Sequence, residues 1–179
     1  MIVMPGRMQT ARLLLRPFEA DDTEAVFAYA SDPVVTRLMD WPRHETRLDS
    51  QTFIEDVMAG WSDGDDYCWG VVLRDTDALI GAIGCQFDEQ GMHMGYVLAR
   101  PWWGQGLATE AARTVFEAGR SIDDIYRFDA TCDTENLASA RVLEKIGMRC
   151  EARLGCWSER PNLDESRRPR DVFMYAWTR

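Results

Sequence analysis

The chain has 179 residues, 46% of them apolar, and 30 acidic against 20 basic side chains give it a net charge of −10. That length suits one domain over residues 1–179 with a core of its own. The acidic balance repels a phosphodiester backbone, which argues against nucleic acid as a partner and favours a cationic one such as an amine. No apolar run approaches the roughly 20 residues of a membrane span, and no charged-then-apolar leader opens the sequence. The five cysteines Cys68, Cys85, Cys132, Cys150 and Cys156 show no C-x-x-C spacing, so reduced thiols in a cytoplasmic protein are expected. His44 and His93 are the only histidines and stand apart from other ligand types, so no metal site is expected.

Taken in order, residues 1–9 read as a frayed start, and Thr10–Phe18 as a first strand. Asp21 and Asp22 place negative charge in the first turn of a helix that must stop before Pro33. Val34–Met39 is ambiguous. Asp49 or Ser50 suits the cap of a second helix, along which Phe53, Ile54, Val57, Met58 and Trp61 recur at helical spacing. A polar break over Trp61–Asp66 precedes three strands, Tyr67–Arg74, Leu79–Phe87 and Met92–Leu98, joined by the turns 75–78 and 88–91 into a meander. A helix from Leu107 follows. A strand at Arg127–Cys132 should lie parallel to its predecessor because a helix joins them. Asn136–Ile146 reads as a helix ended by Gly147, Met148–Gly155 as a strand, Trp157–Pro169 as a long polar loop and Arg170–Trp177 as a closing strand.

The stretch from Met94 to Glu110 organises the rest. Pro101 ends the strand, Gly104 and Gly106 bare the backbone, and Ala108, Ala111, Ala112, Val115, Phe116 and Gly119 form one apolar helical face. A glycine turn feeding a helix N-terminus is a ready site for phosphate, because free N–H groups and the helix dipole converge there. It also suits a plain helix lead-in. A second block, Asn136 to Met148, places Asn136 and Ser139 three residues apart at a helix start. Asn136 there suits an N-cap as well as a ligand contact.

Together these blocks resemble the GNAT acetyltransferase superfamily, and within it the Rim-type ribosomal-protein N-terminal acetyltransferases. Trp103-Gly104-Gln105-Gly106-Leu107-Ala108 is similar to the superfamily's Q/R-x-x-G-x-G/A turn, with Trp103 at the Q/R position. Gly95-Tyr96-Val97-Leu98, Ala108-Thr109-Glu110-Ala111, Asn136-x-x-Ser139 with Glu144-Lys145-x-Gly147, and Asp40-Trp41-Pro42 match too, so the resemblance covers about Thr10–Tyr175. It implies an α/β GNAT fold: a twisted, mostly antiparallel sheet of about seven strands with one splayed parallel pair, flanked by about four helices.

It further implies acetyl-CoA as co-substrate, lying between Met92–Leu98 and Arg127–Cys132. Trp103, Gly104, Gln105, Gly106, Leu107, Ala108 and Thr109 would hold its pyrophosphate; Tyr96, Val97 and Leu98 would lie along its pantetheine arm, with an amide near Val97 polarising the thioester carbonyl. Asn136 would reach the arm or a water, and Ser139 would protonate the leaving thiolate where much of the superfamily uses a tyrosine. The implied reaction is direct transfer of acetyl to a primary amine in a ternary complex, the acceptor being a protein N-terminal α-amine. At pH 7 such an amine is roughly one-seventh neutral, against a few parts in ten thousand for lysine, so it asks less of a base. His93, two residues before Gly95, suits that base because imidazole titrates near neutrality, and it suits an ordinary surface histidine equally. Glu110 and Glu135 are weaker candidates. Trp41, Trp61, Trp102 and Trp157 are candidates to line the acceptor groove, Asp88 and Glu89 to attract a cation, and residues 157–169 to rim the site. Small-amine acetylation and non-catalytic acyl-CoA binding remain alternatives, with a monomer or homodimer expected. A Rossmann glycine motif is disfavoured because Thr109 stands where its third glycine would be.

Overall fold

The computed structural model describes residues 3–64, 66–88, 91–163 and 168–179. In chain order the strands are β1 (Met8–Gln9), β2 (Leu13–Arg16), β3 (Asp66–Leu73), β4 (Leu79–Phe87), β5 (Met92–Leu98), β6 (Arg127–Asp133), β7 (Arg149–Ser158) and β8 (Arg170–Thr178). The helices are α1 (Thr23–Ala30), the short α2 (Pro33–Thr36), α3 (Arg47–Asp63), α4 (Leu107–Arg120) and α5 (Leu137–Ile146). The strands form one sheet in the order β1-β2-β3-β4-β5-β6-β8-β7. All neighbours are antiparallel except β5 and β6. Among the described residues there are thus eight strands and five helices, one of each more than expected.

The extra strand comes from the N-terminus. The expected frayed start is replaced by β1, paired Met8 to Leu15, with Met4 only 2% exposed and the Trp69 indole donating to Pro5 O at 3.0 Å. Met4 and Met8 bury against the sheet, which ties down a terminus that was expected to fray. The second helix also starts earlier than expected. Thr46 is its N-cap, and the Asp49 carboxylate reaches back to accept from the N–H groups of Thr46 and Glu45, both at 2.8 Å. Asp49 is therefore the third residue of a capping box, not the cap. The helix runs on through the supposed break at Trp61 to end at Gly64, whose φ of 79° only glycine adopts freely.

Side-chain alternation divides the core between the two faces of the sheet. Tyr67, Trp69 and Val71 of β3, with Met92 and Met94 of β5, pack under Leu107, Ala111, Val115 and Phe116 of α4 and Leu143 of α5. On the other face Ala82 and Val97 pack against Val26, Tyr29 and Ala30 of α1 and Ile54 of α3. β5 and β6 pair only at Met92–Phe128 and His93–Asp129. Beyond those two rungs β5 stays on β4 to Leu98, while β6 stays on β8 to Asp133, so a wedge opens between them. No helix among the described residues is long and apolar enough to cross a membrane.

Helix α4 reaches the sheet so closely at Gly119 that a Cβ there would stand 2.6 Å from the Phe128 ring and 3.0 Å from Met92 Sδ. Phe128 cannot yield, being wedged edge-on between Phe116 and Trp177 at ring separations of 5.1 and 5.4 Å. Overpacking of this kind costs about 1–3 kcal/mol, against about 1 kcal/mol gained from the helix propensity of alanine. Gly119→Ala is therefore expected to lower the thermal midpoint; a midpoint equal to or above wild type would contradict this packing.

Candidate active site

The turn between β5 and α4 is exposed and is shaped by two left-handed glycines, Gly104 at φ 74° and Gly106 at φ 78°. Nothing lies within 4 Å of a Cβ placed on Gly104. Its long side chains act as braces. The Trp103 indole donates to Leu98 O at 2.7 Å, Gln105 Nε2 donates to Pro101 O at 3.1 Å, and Arg12 donates to Gln105 O at 3.0 Å. Arg12 and Thr10 also bind Glu110, so that carboxylate is committed to holding α4 against the start of β2 and its pKa is low. The backbone N–H groups from Gly104 to Thr109, by contrast, find no acceptor among the described residues. Exposed, converging amides at a helix start fit a phosphate.

Along β5, Ala99 donates to Ile80 O at 2.8 Å, and a Cβ placed on Gly81 would stand 2.2 Å from the Val97 carbonyl oxygen. Backbone groups of an antiparallel strand alternate sides, so Val97 turns its own toward β4, while Tyr96 and Leu98 turn theirs toward the wedge. The Leu98 carbonyl is the acceptor already held by Trp103.

Asn136 is the N-cap of α5: its Oδ1 accepts from Ser139 N at 3.1 Å. Ser139 lies in the first turn, across the wedge from β5. The Tyr96 hydroxyl is 2.8 Å from Ser139 Oγ and 3.1 Å from Ser139 O, and burial pushes its pKa well above the usual tyrosine value. When Tyr96 donates to the carbonyl, the serine hydroxyl donates to the phenol. Cys132 of β6 lies in the same wall, its thiol raised to about 11 chiefly by burial.

His93 sits on the last paired rung. Its Nδ1 is 2.6 Å from Asp129 Oδ1, and Arg127 bonds the other oxygen at 3.3 Å. Asp129 titrates low, so it is ionised and accepts; Nδ1 is then the donor and Nε2 carries the lone pair. The same hydrogen bond raises the His93 pKa above 6.5, assisted by the more distant Asp40 and Asp88 and opposed by burial. Asp129 lay beyond the reach of sequence reading, because it acquires its role from a strand register.

His93 and Ser139 line one cavity of about 960 Å³ that spans the wedge and runs out between the sheet and α1, α3 and the segment 38–46. Of the four tryptophans expected in an acceptor groove, only Trp41 lines it. Trp61 is packed edge-on against Tyr67 and Trp69, Trp102 packs on the main core, and Trp157 is 58% exposed as part of β7. His44 lines the cavity too, between Trp41 and Phe53, with Nδ1 2.8 Å from the buried Ser50 Oγ and its pKa lowered by burial. The described part of the 157–169 loop closes the wall: Asn162 donates to Thr36 O and Trp41 O, and Arg160 lines the cavity beside Asp133. Glu135 is held by Arg37 and Arg170. Asp88 accepts from Gly91 N at 2.9 Å, while Glu89 lies outside the described residues.

Residues 12–149 match the acetyltransferase (GNAT) domain family model. The chain is 38% identical over 146 residues to the uncharacterized N-acetyltransferase YnaD of Bacillus subtilis, covering 79% of this chain and 82% of that one. Its fold superposes on an acetyltransferase of the GNAT family from Bacillus anthracis with a TM-score of 0.83 at 30% identity, covering 96% and 98% of the two chains. It also superposes on RimL, a ribosomal L7/L12 α-N-protein acetyltransferase in complex with coenzyme A, at a TM-score of 0.83, 17% identity and coverages of 98% and 97%. A bare-backbone turn at a helix start, beside a wedge between parting parallel strands, thus stands in a chain that is an acetyltransferase of the GNAT family.

Proposed function

We propose that this protein transfers acetyl from acetyl-CoA to a primary amine by direct attack, and that the amine is a protein N-terminal α-amine. The observation that carries the reading is the wedge itself, with the His93–Asp129 pair at its apex on one face of the sheet and the Tyr96–Ser139 pair on the other. The RimL superposition favours the α-amine. The bound thioester would supply an acyl carbon with a good leaving group.

The chain's own groups would do the rest. The amides of Gly104–Thr109 would hold the diphosphate, and Asn136 would hold the arm through its uncommitted Nδ2. The backbone N–H of Tyr96 or Leu98, rather than that of Val97, would face the thioester carbonyl and stabilise the negative charge that develops on its oxygen. His93 Nε2 would take the proton of the ammonium group, with Asp129 fixing the tautomer and stabilising the imidazolium that forms. Ser139 would hand its proton to the departing sulfur and take up the one the attacking nitrogen sheds as the tetrahedral intermediate collapses, while Tyr96, kept protonated by its raised pKa, holds the serine in place.

Release of free thiol from acetyl-CoA in the presence of N-terminal peptides tests the reading; coenzyme A binding without turnover of any amine would contradict it. Because the base must be neutral, kcat/KM should rise with pH through an ionisation above 6.5. Asp129→Asn removes the main cause of that elevation, so the acid limb should move to lower pH and kcat should fall. His93→Ala should abolish the limb. A profile identical in all three proteins would remove His93 from the mechanism.

General acids contribute about 10²–10⁴-fold. Ser139→Ala and Tyr96→Phe should each lower kcat by about 10-fold or more, and the double variant by little more than the worse single one, because Tyr96 acts through Ser139. Full additivity of the two losses would show that they act separately.

A further inference from the structure

Gly95 lies in the middle of β5, paired with Gly84 across β4, and both line the cavity. Glycine inside a strand weakens it, and three physical reasons usually account for one: a left-handed φ, a close protein neighbour, or the close approach of a ligand. Gly95 is absent from the positive-φ residues, and among the described residues no heavy atom beyond its own chain neighbours lies within 4 Å of a Cβ placed on it. Gly84 likewise lacks a positive φ, but a Cβ on it would press the Tyr67 backbone oxygen at 3.3 Å, so the close approach of β3 accounts for that glycine and not for Gly95. Alternation puts Gly95 on the acceptor face, between His93 and Val97. The two residues therefore leave a strip of bare sheet next to the base, and at Gly95 no packing in the fold requires it.

We infer that this strip is the acceptor's seat, and that it selects amines whose neighbouring carbon is branched. This rests on the acetyltransferase reading above and names its substrate class. An unbranched alkylamine enters end-on and needs only the width of its chain. An α-amine on a carbon bearing both a side chain and a carbonyl must place one substituent beside the amine nitrogen as that nitrogen faces His93. The aromatic wall of Trp41, His44 and Phe53 takes the outward group, and the bare backbone at Gly95 takes the group lying flat on the sheet. Gly95 is thus a specificity-determining position that touches acceptor and not coenzyme.

The test compares wild type with Gly95→Ala on two acceptor sets, peptides with free N-termini and unbranched alkyl diamines, with coenzyme A affinity and the thermal midpoint measured alongside. One added methyl in a fitted pocket discriminates by about 10–200-fold. The preference for α-branched over unbranched acceptors should therefore fall about 10-fold or more, through KM, with coenzyme A affinity unchanged and the midpoint equal to or above wild type. An unchanged preference, an equal loss on both sets, or a lowered midpoint would overturn the inference, as would a wild type that uses only unbranched amines. A wild type that turns over no amine at all overturns the acetyltransferase reading itself, and this is seen before the variant is measured.

Discussion

The structure turns on the parting of β5 and β6 after two rungs of parallel pairing. Each strand keeps its other neighbour, so the sheet stays whole while an inner edge of unpaired backbone is exposed in the middle of the domain. Unpaired N–H and C=O groups in a protein interior are costly unless something satisfies them. Here part of that demand is met internally, by the Trp103 indole donating to Leu98 O. The rest is left for an extended ligand that can add itself to the edge as a strand would.

The other features follow from that opening. Helix α4 must begin beside the wedge, and its glycine turn delivers bare amides to one end of it. Helix α5 must begin on the far wall, and its Asn136 cap spends one amide oxygen on local geometry while leaving the amide nitrogen uncommitted. The last rung before the split brings His93 and Asp129 side by side, since residues paired across neighbouring strands share a face. A carboxylate paired with imidazole at a strand junction, with a cavity on its open side, is an arrangement suited to moving a proton near neutral pH.

Much of this was legible in the sequence where local chemistry decides. β4 and β5 have the expected bounds, because polar turns fence apolar runs, and α4 begins at Leu107 as its glycines and apolar period require. The parallel relation of β5 and β6 followed from the helix between them. What was not legible depends on distant partners. Burial of Met4 and Met8 ordered a terminus expected to fray. A box closed by Asp49 moved a cap back to Thr46. Three tryptophans that suited a groove went to the core or the surface, because aromatic burial is settled by what the opposing element offers. Asp129, and the Tyr96 contact with Ser139, come from register and from the approach of α5, which no single segment encodes.

The central claim is that the wedge edge and the glycine turn together form one seat for coenzyme A. Residue-resolved amide hydrogen exchange, with and without saturating coenzyme A, tests this most directly. The account predicts that the amides from Gly104 to Thr109 and those of Tyr96 and Leu98 gain protection together, while Val97, already turned toward β4, changes least of its neighbours. Protection confined to other parts of the sheet, or none in the turn at millimolar coenzyme A, would contradict it.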